Sequence, residues 1–239
     1  MGKKWLPLES NPEVMTEFAE RIGLDTTQHA FYDVLGLDEE LLAMVPQPVA
    51  AVLLLYPITS DTEAAAKADD ERLAAEGAAA GHPGGVYYLK QTIGNACGTI
   101  AMLHAFGNNL GAVKLAEGSF LSRFFESTKA MTPQQRGAFL EEPPSGAPDI
   151  EEAHQAASER GDTAPPALDE VVDLHFVAFV NVEGQLMELD GRRAGPVSHG
   201  PTTADSLLAD AARVVRRQFI ERSNSINFNL ITLSKAEDS

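Results

Sequence analysis

Apolar and polar positions along the chain alternate in runs that change period several times. In SNPEVMTEFAERIG, Val14, Phe18 and Ile22 recur at helical spacing behind Ser10, Asn11 and Pro12, which predicts a capped amphipathic helix. HAFYDVLGL reads as a strand and DEELLAM as a short helix. PVAAVLLLYPI is almost continuously apolar, the pattern of a strand covered on both faces. DTEAAAKADDERLAAEGAAA comes next as an Ala-rich solvated helix that GHPGG ends. After VYYLKQTI, a helix is expected from about Asn95 to Gly107 and a second helical stretch from Ser119 to Leu140.

The pattern then breaks. EEPPSGAPDIEEAHQAASERGDTAPPALDE holds five prolines, many charges and few large apolar side chains, so it predicts a long mobile loop. The remainder of the chain is too short for a second full domain: HFVAFVNVEGQLMELDG reads as a hairpin, TTADSLLADAARVVRRQFIERS as a helix and INFNLITLS as a closing strand. The expectation is therefore one α/β domain over 1–239 with a long excursion at about 141–170, and such excursions are commonly functional.

Composition narrows the class. The 239 residues are 44% hydrophobic and carry a formal charge of −17, which suits a globular chain with an acidic surface. The 18 Lys and Arg form no long basic run, which disfavours nucleic acid and favours a basic partner. No apolar run is long enough to span a bilayer. The start lacks a signal-like apolar stretch, and Leu6 stands where a myristoylation pattern wants Ser or Thr. With one cysteine no internal disulfide is possible, so a cytoplasmic or nuclear location is expected, and the chain is expected to act as a monomer.

That cysteine raises the chemical question. Asn95 is a candidate N-cap for the helix beginning there, which would set Cys97 in a first turn beside unsatisfied N–H groups and favour the thiolate. A buried, inert core thiol is an equally open reading. Thiolate chemistry also needs a proton shuttle. His104 lies seven residues on, about 10 Å along a helix axis, and reads as a core histidine. His29, His82 and His199 fall in turn-like contexts, and His154 falls in the segment expected to be mobile. His175 differs. If Glu183-Gly184 is the hairpin turn, Val182 faces Gln185, and counting back makes Asp190 the same-face diagonal neighbour of His175. A His–Asp pair and a polar pair at a sheet rim are both open on that spacing. Gln91, six residues before Cys97, could supply a side-chain N–H beside the Cys97 amide as an oxyanion donor, or be a solvated residue.

QTIGNACGTIAMLHAF resembles the active-site segment of the ubiquitin carboxyl-terminal hydrolases, and VDLHFVAFV and MELDGRR resemble that family's histidine and aspartate segments. WLPLESNPEV, GLDEELLAMVPQPVAAVLLLYPIT and INFNLITLS extend the likeness over nearly the whole chain, to the branch without a C-terminal extension. The resemblance implies a papain-like α/β (α+β) fold with a mostly antiparallel central sheet flanked by helices and a knotted backbone. It implies cleavage after the terminal glycine of ubiquitin without metal or cofactor. Cys97 would be nucleophile, His175 general base and acid, Asp190 its orienter, and Gln91 with the Cys97 amide the oxyanion donors. The 141–170 stretch matches the crossover segment that limits what is attached to ubiquitin, small adducts and unfolded peptides passing. Leu8, Glu9 and Asp33 are the docking candidates, with ubiquitin or a ubiquitin-like modifier as partner. A non-catalytic ubiquitin binder and a papain-like protease with another substrate are the competing readings.

Overall fold

The computed structural model describes residues 2–75, 85–167, 170, 172–223 and 225–237. Six strands form one sheet in the order β1-β6-β2-β3-β4-β5, every neighbouring pair antiparallel. They are β1 (His29–Asp33), β2 (Val49–Pro57), β3 (Leu174–Val182), β4 (Gln185–Leu189), β5 (Val197–Pro201) and β6 (Asn229–Lys235). The apolar run of β2 has its expected reason: the strand lies between β6 and β3, and successive side chains enter different cores. Ala51 and Leu53 join the cluster that holds Cys97, while Val52, Leu54 and Tyr56 join the cluster under the C-terminal helix.

On the first face pack α1 (Pro12–Ile22), α4 (Cys97–Gly107), α5 (Phe120–Thr128), α6 (Pro133–Glu141) and α7 (Glu151–Ser158). Asn11 caps α1 by accepting from the Glu13 and Val14 amides, and Gly23 ends it at φ 114°. Every residue of α4 from Cys97 to Phe106 is buried, as a helix apolar all round must be. On the second face lie α2 (Glu39–Leu42) and α8 (Leu207–Val214), which continues into a π-helical turn at 215–220. The helix α3 spans Ser60–Ala75.

Several expectations need correction. The stretch Ser119–Leu140 is two helices, because Thr132 and Pro133 start a new one with a capping box to Gln135. The strand β5 is unforeseen; VSHGP has no alternating apolar pattern and forms through pairing with β4. His29 and His199 lie in strands β1 and β5, not in turns. The 141–170 stretch is not simply a mobile loop, since α7 within it packs on α1, and the stretch is tied by Lys3–Glu151 (2.7 Å) in α7 and Arg160–Glu17 (2.6 Å) just beyond it. Residues 76–84, which include His82 and most of the expected GHPGG stop, lie outside the described residues.

Candidate active site

Cys97 is the first residue of α4, but Asn95 is not its cap. Asn95 sits at φ 59° and turns its side-chain amide to Trp5 O at 3.1 Å; Ala96 is the capping residue and makes no side-chain cap bond. The thiol nonetheless lies at the helix N-terminus, where the nearby backbone amides of Gly98 and Phe176 favour the thiolate.

The hairpin folds in the register counted from its turn, with Val182 opposite Gln185 and Ala178 opposite Leu189. That register, continued past the last paired residue, brings Asp190 to His175: Nε2 and Oδ1 are 2.7 Å apart, both side chains almost wholly buried. His175 also lies close enough to the Cys97 thiol for each to shift the other's proton affinity, so the imidazole is coupled to both thiol and carboxylate. Burial by itself would raise the thiol, yet His175 beside it and the two amides hold it below its ordinary value. Burial would likewise lower His175, but Asp190 and the sulfur push it up to about 9. Asp190 is held low against its own burial by His175 and the Arg192 amide. The three groups favour a thiolate–imidazolium pair.

Gln91 lies on the segment entering α4. Its Nε2 donates to Ile93 O at 3.1 Å, and its buried Oε1 has no partner. An apolar-lined cleft of about 240 Å³ opens at Cys97. Pro7, Leu8 and Glu9 line one side, Thr163 to Pro166 of the crossover stretch another, and Leu174 and Phe176 the sheet side. Leu8 and Glu9 thus reach the cleft, although Glu9 Oε2 is also 3.4 Å from the Thr163 amide. Asp33 does not line it; it is exposed at the end of β1.

Two other histidines are structural. His104 is fully buried with Nε2 3.1 Å from the Leu89 amide, as expected of a core residue. His154, placed by its sequence context in a mobile segment, is instead 1% exposed. Its Nδ1 lies 2.7 Å from Thr99 Oγ1 and its Nε2 2.8 Å from Leu6 O, with Trp5 against the ring. Ile150, Ala153, Ala157 and Ser158 at helical spacing around it are the signal that could have revealed this buried face. Among the described residues, no group of three or more His, Cys, Asp or Glu could hold a metal ion, and no helix is long and apolar enough to cross a membrane.

The sequence profile of ubiquitin carboxyl-terminal hydrolase, family 1, matches residues 5–221. The chain belongs to this family. Ubiquitin carboxyl-terminal hydrolase 3 of Arabidopsis thaliana is 48% identical over 234 residues, covering 98% of this chain and 95% of that one. Isozyme L1 of Homo sapiens is 40% identical over 231 residues, covering 96% and 98%. The catalytic domain of Trichinella spiralis UCH37 bound to ubiquitin vinyl methyl ester superposes with a TM-score of 0.72 at 23% identity, covering 98% of this chain and 96% of that one. Family and fold together bear out the papain-like architecture and the enzyme class, a cysteine-type ubiquitin carboxyl-terminal hydrolase.

Proposed function

We propose that the Cys97 thiolate attacks the carbonyl of ubiquitin's terminal glycine, in amides, esters or thioesters. The observation that carries this reading is the buried His175–Asp190 pair coupled to a Cys97 thiol that lines an apolar cleft. The second Gln91 amide hydrogen and the Cys97 N–H receive the charge on the carbonyl oxygen. As the tetrahedral intermediate collapses, the bond to the leaving group breaks and His175 delivers its proton there. A glycyl thioester remains on Cys97. Neutral His175 then takes a proton from water, whose oxygen attacks the thioester, and the sulfur leaves as thiolate paired again with imidazolium. Asp190 holds the ring in orientation and stabilises its charged form.

Leu8 and Glu9 meet the ubiquitin tail, and Asp33 meets the ubiquitin body outside the cleft. Ser10 Oγ donates to Asn229 Oδ1 at 2.7 Å, linking the cleft wall to the start of β6, which pairs with β1 at Asp33. The exposed Leu35 and Ile226 flank the same end of that strand pair. Ubiquitin's basic tail and face suit a chain of charge −17. The crossover wall over 141–170 admits small adducts and short peptides, and its helix and ion pairs keep larger folded ones out. We read residues 1–239 as one catalytic domain, acting as a monomer in the cytoplasm or nucleus, where the single buried thiol stays reduced.

Incubating the protein and Cys97→Ala with ubiquitin carrying a fluorogenic C-terminal group tests this. Release by the parent alone is expected. Tight binding without release would favour the non-catalytic binder, and neither binding nor release a protease for another substrate.

A further inference from the structure

The segment 86–91 carries Gln91, and it runs beside the turn that carries Asp190. Three of its donors converge on that turn. The Tyr88 hydroxyl donates to both Asp190 O and Arg193 O, 2.7 Å from each. Lys90 Nζ reaches Arg192 O at 3.2 Å and also Arg193 O, and the Gln91 amide donates to Gly191 O at 2.9 Å. The approach is tight enough to exclude a side chain: a Cβ on Gly191 would stand 2.8 Å from Ile100 Cγ2 and 2.9 Å from Gln91 Cβ. Tyr88 is itself fixed, its ring stacked on His104 at 5.1 Å and its carbonyl accepting from Arg136 Nη1 at 2.8 Å. From the other side, buried Arg193 holds the turn to Asp70 at 2.9 Å and Glu188 at 3.6 Å.

We propose that Tyr88 is a positioning residue, its hydroxyl locking the 190–193 turn to the Gln91 segment so that the triad carboxylate and the oxyanion donor keep one fixed relation to Cys97. A phenylalanine would fill the same space and stack on the same histidine. What the hydroxyl adds is the cross-link. Removing it orphans neither carbonyl, because the Arg193 amide also donates to Asp190 O at 3.0 Å and Lys90 to Arg193 O. A purely structural role would therefore leave catalysis unchanged in Tyr88→Phe, whereas a positioning role would not.

This inference rests on the proposed roles of Asp190 and Gln91. Misplacing reacting groups by about 1 Å costs up to about 100-fold in rate, so Tyr88→Phe is expected to lower kcat on fluorogenic ubiquitin by about tenfold with KM unchanged. A looser Asp190–His175 bond also lets the imidazolium give up its proton earlier, moving the alkaline limb of kcat/KM to lower pH. The charged and titratable groups facing the Asp190 turn are His175, Tyr56, Glu188, Arg192, Arg193, Asp70, Lys90 and His104. The substitution alters none of them, and Tyr88 itself stays protonated, pushed up mainly by burial. A shifted limb thus reports geometry.

The pH profile of Cys97 alkylation by iodoacetamide is measured alongside, because it requires no turnover. The same downward shift of its His175-dependent limb is expected. Parental kcat together with parental pH profiles in Tyr88→Phe would overturn the clamp. If neither parent nor variant cleaves ubiquitin, the functional reading fails and the alkylation profiles still decide the clamp. Should Tyr88→Phe not fold, Gly191→Ala displaces the same turn without altering a charge, because its Cβ would stand 2.8 Å from Ile100 Cγ2: a downward limb shift supports the clamp, and an unchanged profile refutes it.

Discussion

Replacing His154 with glutamine asks how the crossover stretch is held against the catalytic helix. The ring is buried between Thr99, two residues beyond Cys97, and the Leu6 carbonyl. A neutral imidazole with its proton on Nε2 serves both partners, donating to the carbonyl and accepting from the hydroxyl. Burial, the largest influence, holds His154 down to about 4, against the opposing pull of the Leu6 carbonyl and Glu151. An unfolded chain takes up this proton at the ordinary value of 6.5, so between pH 6.5 and about 4 the unfolded state binds more protons. Stability therefore falls as pH falls through that window. From pH 7.0 to 5.5 the histidine contributes a loss of about 1 kcal/mol. His104, also held down to about 4 chiefly by burial, adds a loss of the same sign. His175 acts oppositely, because its pKa is pushed up to about 9: its stabilisation is fully present below pH 6.5 and disappears as pH rises through 9. Both of these are common to parent and variant and cancel in the comparison. Urea unfolding of parent and His154→Gln at the two pH values should show the parent losing about 1 kcal/mol more. Equal losses would refute a buried, neutral histidine as the latch of α7.

Three further outcomes are expected. Asp190→Asn should lower kcat by about 10²–10⁴-fold. It should also draw the alkaline limb of the pH–rate profile down from about 9 toward the ordinary imidazole value, because the catalytic ion pair is lost as pH rises through the His175 pKa; an unmoved limb would mean that Asp190 does not sustain the imidazolium. Gln91→Ala should cost about 10²–10³ in kcat with little change in KM, and steady-state kinetics showing a KM effect alone would remove Gln91 from the oxyanion site. Stopped-flow association with ubiquitin should slow as salt is raised from about 0.05 to about 0.5 M, since a −17 chain attracts a basic partner; a salt-independent rate would exclude electrostatic steering.

Local rules made much of this protein legible in its amino-acid order. A glycine turn fixes hairpin register, and a one-residue slip would have sent His175 and Asp190 to opposite faces, so their meeting comes from counting. The double burial of β2 and the capped start of α1 likewise come from spacing and cap chemistry. Asn95 shows where such rules stop. It has the right side chain for a cap, but Trp5, ninety residues away in the chain, captures its amide and leaves the helix to begin without it.

His154 escapes a local reading for the same reason. Its prolines and charged neighbours describe the segment's solvent side, whereas Thr99, Leu6 and Trp5 come from elements that only folding brings beside it. β5 exists because β4 offers it an edge, and the Tyr88 cross-link because two distant turns lie side by side. Residue order determined which groups could react and which elements would carry them. Long-range packing alone decided which polar groups share a buried partner, because that depends on contacts between segments whose separation along the chain carries no periodic signal.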